Sequence, residues 1–310
     1  MIALLAPGQG SQTPGMLTPW LELPGATDQV EQWSKASGLD LVRLGTTATA
    51  EEITDTSITQ PLVVALTLLA YDELNKRGHL NGKIASGEVI VAGHSVGEIA
   101  AYAIAGVISA DEAITLAATR GAEMAKACAL DPTGMSAVLG GDEAEVLERL
   151  EALELVPANR NAVGQIVAAG RITALEKLAE DPPAKARVRQ LATAGAFHTH
   201  FMAPAQEAYA AAAAAITPSE PTVTLLSNLD GSPVTSGADA MAKLVNQMTS
   251  PVRWDLCTEY FKTANDTPAA TAVVELPPSG ALSGITKREM RGVPNHALKT
   301  PEDLEALAEL

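Results

Sequence analysis

The sequence predicts an α/β fold in which a large unit built on a parallel sheet carries a smaller inserted unit. Three observations predict it. Short β-branched runs alternate with amphipathic helical stretches along most of the chain, as expected for strands buried on both faces. One run, Val89-Ile-Val-Ala92, passes through Gly93-His-Ser-Val-Gly97 into an Ala-rich helical stretch, the strand–turn–helix context of a nucleophile elbow. Between Thr133 and Thr193 the order changes to β-α-β-β-α-β, the ferredoxin-like arrangement.

Apolar residues make up 47% of the 310, enough for a substantial core. No apolar run reaches the ~18–20 residues of a membrane-spanning helix. Met1–Ala6 reads as the first strand. It lacks a basic flank and is too short for a secretion signal, so a cytoplasmic protein is expected. Pro7–Gln12 is a Gly-rich loop able to offer backbone N–H groups, but it lacks the Lys-Ser/Thr ending of a phosphate-binding P-loop.

A helix follows over residues 26–38, with Trp33 on its buried face. A longer one runs from Gln60 to Arg77, with Leu62, Ala65, Leu66, Leu69 and Leu74 at helical spacing and Gly78 as its stop. After the elbow strand, a helix extends from Glu98 to about Gly106. Ser109-Ala-Asp-Glu112 is a capping box opening a helix to about Cys128. Arg120 lies near the middle of that helix and, on spacing alone, is a solvated face residue.

In the small unit, Met135–Gly140, Leu155–Asn159, Gln165–Ala169 and Ala186–Leu191 read as strands, and Asp142–Leu153 and Thr173–Ala179 as helices. An Ala-rich helix then runs to about Ala215. Further on come a strand at Thr222–Leu226, helices around Asp239–Met248 and Trp254–Thr263, and a core strand at Val273–Leu276. Pro277-Pro-Ser-Gly280 turns into a helix near Leu282–Arg291, and a last helix spans Pro301–Leu310.

The elbow locates the chemistry. Glycines flank Ser95 because side chains there would collide in a strained turn, and the helix that begins at the serine favours developing negative charge. A serine hydroxyl is a poor nucleophile without a neighbouring base. Five histidines are available: His79, His94, His198, His200 and His296. His94 adjoins the serine, but neighbouring side chains at such a turn diverge. His198 and His200 share the segment Gly195-Ala-Phe-His-Thr-His200, where His200 also fits a solvent-facing helix start.

Cys128 and Cys257 lie far apart without metal-like spacing and are read as reduced thiols. No ligand cluster or dinucleotide fingerprint appears, so no metal or redox cofactor is expected. A net charge of −16 argues against nucleic acid or an anionic membrane as partner.

An ordered set of segments resembles the malonyl-CoA:acyl carrier protein transacylases, the acyltransferases of fatty-acid synthesis. The set is Gly8-Gln-Gly-Ser-Gln12, Gly93-His-Ser-Val-Gly-Glu98, Thr119-Arg-Gly121, Asn159-Arg-Asn-Ala-Val-Gly-Gln165, Ala196-Phe-His198 and Asn246-Gln-Met-Thr-Ser-Pro-Val252. It covers essentially the whole chain, and its order and spacing are specific where no single segment is. The resemblance implies an α/β-hydrolase-like catalytic subdomain, residues 1–130 and 196–310, with a ferredoxin-like subdomain at 131–195.

It also implies roles. Ser95 is the nucleophile that takes malonyl as an ester, and His198 is its base and later acid. The backbone carbonyl of Gln247 orients the imidazole in place of a third-residue carboxylate. The N–H groups of Val96 and Gln9 form the oxyanion hole. Arg120 becomes the bidentate partner of the malonyl carboxylate, a task a lysine would not reproduce. Phe197 occupies the space an α-methyl would need, favouring malonyl over methylmalonyl. Asn159, Asn161 and Gln165 line the cleft between subdomains. The chain departs from the family's Gly-Pro-Gly at Pro277-Pro-Ser-Gly280, which puts that loop's shape in doubt.

The implied substrates are malonyl-CoA and acyl carrier protein. Carrier proteins are acidic, so docking on this acidic chain needs a local basic patch, with Arg187, Arg189, Lys287 and Arg288 as candidates. Two other readings stay open: a serine hydrolase or thioesterase on the same elbow, and a non-catalytic module that binds carrier protein.

Overall fold

The computed structural model describes residues 1–263 and 269–310. Among these the strands are, in chain order, β1 (Ile2–Ala6), β2 (Val89–Gly93), β3 (Thr133–Gly140), β4 (Val156–Ala162), β5 (Gln165–Arg171), β6 (Ala186–Gln190), β7 (Thr224–Leu225), β8 (Ala272–Glu275) and β9 (Asn295–Ala297).

Five of them form one parallel sheet in the order β7-β2-β1-β8-β9. Every residue of β1, β2 and β8 is buried, the two-sided burial that their continuous apolar sequence requires. Helices cover both faces. The Thr56–Arg77 and Ala110–Cys128 helices pack side by side in the core on one face, and Trp254, Cys257 and Phe261 of the Trp254–Thr263 helix pack on the other. The Thr56–Arg77 helix is apolar nearly all round, including Leu62, Ala65, Leu66, Leu69 and Leu74, as befits a helix enclosed by neighbours. Asp55 caps its start, four residues earlier than the sequence pattern indicates, and Gly78 ends it with a left-handed φ of 76°.

The register places Ala6 opposite Gly93. The loop after β1 and the turn after β2 therefore emerge side by side at the carboxyl end of the sheet, where open α/β sheets bind their ligands.

The other four strands form an antiparallel sheet in the order β4-β5-β3-β6. One face buries Val138, Ile166 and Ala168 beneath Val146, Leu150, Leu175 and Leu178 of two helices, Glu143–Ala152 and Ile172–Glu180. The opposite face contributes Met135, Val167 and Ala169 to the main core. The edge strand β4 is tied to the large unit by a parallel bridge between Asn159 and Val252, with Arg160 N–H donating to the Val252 carbonyl and Val252 N–H to that of Ala158.

Several expectations change at the ends of elements. The strand expected at Thr222–Leu226 begins only at Thr224, because both the N–H and the hydroxyl of Thr222 turn to the Ala105 carbonyl. The final segment is a 3₁₀ helix, Pro301–Leu307, not a regular helix to Leu310, and Thr300 and Asp303 close its capping box. Short helices at Thr18–Leu21, Leu41–Thr46 and Asn81–Ala85, and the polar strand β9, carry too little periodicity to be read locally.

Candidate active site

Ser95 sits at the tip of the elbow with φ of 54°, a left-handed conformation that an L-residue adopts only when its surroundings impose it. The two flanking glycines show what imposes it. A Cβ on Gly93 would run into the backbone of Gly97 and Glu98, and one on Gly97 would strike the carbonyls of Ala6 and Pro7. The turn is thus wedged between the following helix, Gly97–Ile104, and the end of β1. A Cβ on Gly8 would lie 2.7 Å from the His94 carbonyl, so the neighbouring loop needs its glycine as well. These close approaches bring Gln9 and Val96 to the same cleft as Ser95. The Ser95 N–H donates to Asn228 Oδ1 at 2.8 Å, which anchors the turn.

His198 Nε2 lies 2.7 Å from Ser95 Oγ. His198 Nδ1 lies 2.9 Å from the Gln247 backbone carbonyl. A carbonyl can only accept, so the proton resides on Nδ1, leaving Nε2 to accept from the serine hydroxyl. The imidazole is 2% exposed. Burial, reinforced by the charge of Arg120, pushes its pKa down to about 3, so the imidazole is neutral across the physiological range. His94 does diverge from the serine: its Nε2 meets Asn161 Oδ1 at 2.9 Å, and its ring stands edge-on to Trp254. His200 is exposed on a short 3₁₀ turn.

Arg120 is not a surface residue. It is 1% exposed. Its Nη1 donates to Gln60 Oε1 at 2.7 Å and its Nη2 to Gln247 Oε1 at 2.9 Å, both neutral amide acceptors. Its Nε is buried without a partner among the described residues. Burial lowers its pKa from the ordinary guanidinium range. A buried cation held by amides alone is underneutralised, and it lines the cleft beside Ser95.

The cleft also receives Phe197, Asn159, Asn161 and Gln165. Phe197 is buried beside the base, while Gln165 lies at the outer end, where Arg288 Nη2 donates to its Oε1 at 2.5 Å. Arg187 and Arg189 do not line the cleft, and nor does Lys287; all three are exposed. The arrangement is that of nucleophilic acyl substitution: an activated hydroxyl, backbone donors beside it, and a cation suited to an acyl group that ends in a carboxylate.

A family model described as acyl transferase domain matches residues 4–300. The malonyl CoA-acyl carrier protein transacylase of Mycobacterium tuberculosis H37Rv is 71% identical over all 310 residues of both chains. The chain belongs to the malonyl CoA-acyl carrier protein transacylase family. The Escherichia coli K12 member is 32% identical over 99% of both chains. Among solved structures, the family member from M. tuberculosis superposes with a TM-score of 0.95, at 71% identity and 99% coverage of each chain. Another, a malonyl-transacylase solved in complex with a type II PKS acyl-carrier protein, superposes at 0.89 with 27% identity, covering 99% of each chain.

Three residues that sequence reasoning left without a role are built into this family member's site. Gln60 and the Gln247 side chain hold Arg120. Asn228 ties Ser95 N–H to the Gly93 carbonyl, which accepts from its Nδ2 at 2.6 Å. Glu98 accepts from the Asn228 N–H and from Gln247 Nε2. Glu98 stands within a quoted family segment, so a signal for it existed. Gln60 appeared only as a helix start, and nothing local marks Asn228.

Proposed function

We propose that this chain transfers malonyl from malonyl-CoA to the phosphopantetheine thiol of acyl carrier protein, by way of a malonyl ester on Ser95, to supply fatty-acid synthesis. Ser95 Oγ attacks the thioester carbonyl as His198 Nε2 takes the hydroxyl proton. The N–H groups of Val96 and Gln9 hold the oxyanion. Collapse of the tetrahedral adduct breaks the C–S bond, and the imidazolium protonates the departing CoA thiolate. In the second half-reaction the carrier's thiol gives its proton to His198 and attacks the ester. The C–O bond then breaks and Ser95 regains its proton. All groups required are supplied by the protein, so the reading includes no cofactor.

Arg120 binds the malonyl carboxylate and selects for it. Phe197 crowds the α-carbon, and Asn159, Asn161 and Gln165 line the path of the pantetheine arm. Carrier protein docks at the cleft mouth on Arg187, Arg189, Lys287 and Arg288. Residues 1–130 and 196–310 act as the α/β-hydrolase-like catalytic subdomain and 131–195 as a ferredoxin-like one, a reading supported by the strand order β4-β5-β3-β6. The site of action is the cytoplasm.

The observation that carries this reading is the 2.7 Å Ser95–His198 pair with a buried arginine in the same cleft. Intact-mass analysis after brief mixing with malonyl-CoA tests it. A malonyl increment is expected on the wild type and not on Ser95→Ala, and it should be discharged when carrier protein is added. Loss of the increment to free malonate without the carrier would make the protein a hydrolase. Failure to form it would leave a carrier-binding module.

A further inference from the structure

Glu98 does not line the cleft, yet it is wholly buried one turn from the nucleophile. Both its oxygens are engaged. Oε1 accepts from Asn228 N–H at 2.7 Å and Oε2 from Gln247 Nε2 at 2.6 Å. Each partner reaches the reacting groups by other atoms. Asn228 holds Ser95 N–H and the Gly93 carbonyl through its side chain. Gln247 gives its backbone carbonyl to His198 and its Oε1 to Arg120, and its Nε2 also lies 3.0 Å from the Ser95 carbonyl. One carboxylate therefore joins residues from separate segments that carry the nucleophile, the base and the cation.

We propose that Glu98 is a positioning residue of the transfer reaction, whose carboxylate fixes the Gln247 amide so that its carbonyl aims His198 and its Oε1 aims Arg120, while anchoring the elbow through Asn228. This deepens the malonyl-transfer reading and rests on it. Only an acceptor at both oxygens satisfies the arrangement, since Asn228 N–H and Gln247 NH₂ are both donors. An amide or a protonated acid at position 98 sets a donor against a donor. The Gln247 side chain then rotates, Arg120 loses one of its two acceptors, and the carbonyl behind His198 shifts.

The carboxylate must consequently be ionised for the site to be aligned. Burial pushes Glu98 up to about 7, opposed by its two hydrogen bonds and by the charges of Arg120 and Lys243. Tyr102 on its own helix, Tyr209 and Cys257 face it from the packed neighbours and are all held protonated by burial. His198, at about 3, does not titrate in this range. Acid that protonates Glu98 therefore removes the acceptor on which both hydrogen bonds depend.

The experiment is single-turnover formation of malonyl-Ser95 from malonyl-CoA between pH 5 and pH 8. It compares wild type, Glu98→Gln and Glu98→Asp, with thermal melts alongside. The wild type should lose rate as the pH falls below neutrality. Glu98→Gln should be slower by about 10²-fold at pH 8, the scale of a misaligned reacting pair, and flat with pH. Glu98→Asp, which keeps two acceptor oxygens on a shorter side chain, should be slowed less than Glu98→Gln and should keep an acid limb. A rate for Glu98→Gln within twofold of wild type, or retention of the wild-type acid limb, overturns the proposal. Should Glu98→Gln not fold, the wild type and Glu98→Asp decide: a wild type flat to pH 5, or a Glu98→Asp rate flat with pH, also overturns it. A wild type that forms no malonyl-Ser95 at all refutes the transfer reading itself.

Discussion

Ser95 and His198 both hold left-handed backbone conformations, with φ of 54° and 59°. Each non-glycine residue so placed costs roughly 1–2 kcal/mol, and the surrounding hydrogen bonds and close backbone contacts keep it there. Arg120 is the residue on which selectivity turns. Its guanidinium is buried against two amide oxygens, so a bound carboxylate completes its neutralisation. Arg120→Ala should lower kcat/KM for malonyl-CoA by about 10²-fold, as expected for loss of a charge-assisted bidentate pair. Turnover of acetyl-CoA should change far less, and kinetics with both substrates would measure the ratio. An unchanged ratio would remove Arg120 from acyl recognition. At this scale Ser95 was legible because the elbow and its glycines are local, whereas His198 over His200 followed from the family resemblance and not from the residues alone. Gln60 and Asn228 were not legible, because their partners lie 60 and 133 positions away and meet them only in the folded chain.

Among elements, the strand β2 and the Gly97–Ile104 helix meet in a joint with no spare room. The helix abuts the carbonyls of Ala6 and Pro7 at Gly97 without room for one more carbon. Gly97→Ala should therefore push the elbow from β1, with a loss of about 2–4 kcal/mol in urea unfolding and of acylation as Gln9 and Val96 separate. Stability close to wild type would show that the joint yields. The capping box at Ser109 and Glu112 forms in both directions, and Gly78 ends its helix, as their local chemistry dictates. By contrast, β9 exists because β8 offers it an edge: Asn295, His296 and Ala297 pair with Val273, Val274 and Glu275. Likewise the turn at Pro277-Pro-Ser-Gly280, where family resemblance left the shape open, is set by buried Glu275. Its carboxylate accepts from the N–H groups of Gly280, Leu282 and Ser283. A hydrophobic pattern cannot announce a carboxylate used in this way.

Over the whole molecule, a net charge of −16 must be reconciled with an acidic partner. The small sheet offers a route. Arg187 and Gln165 both stand opposite Leu139, and Arg189 and Val167 both stand opposite Ala137. Opposed residues share a face, so the two arginines lie on the face whose Gln165 and Val167 line the cleft. Arg288 meets Gln165 from the other wall. Arg187→Glu/Arg189→Glu should raise KM for carrier protein about tenfold and steepen no dependence on malonyl-CoA, as steady-state kinetics at low salt would show. Equal effects on both substrates would assign these residues to the coenzyme's phosphates.

The two crossings between the units lie together. β3, which opens the small unit, pairs with β6, which ends it. Ala196 N–H donates to the Thr133 hydroxyl, and Gly195 packs so tightly on Cys128 that a methyl there would lie 2.5 Å from Sγ. The chain leaves the large sheet and returns to it through a single doorway. What passes through it is no detachable appendage, for Met135, Val167 and Ala169 finish the main core and Asn159, Asn161 and Gln165 finish the cleft. One wall of the reaction vessel is thus a long loop of the chain, closed on itself at its neck.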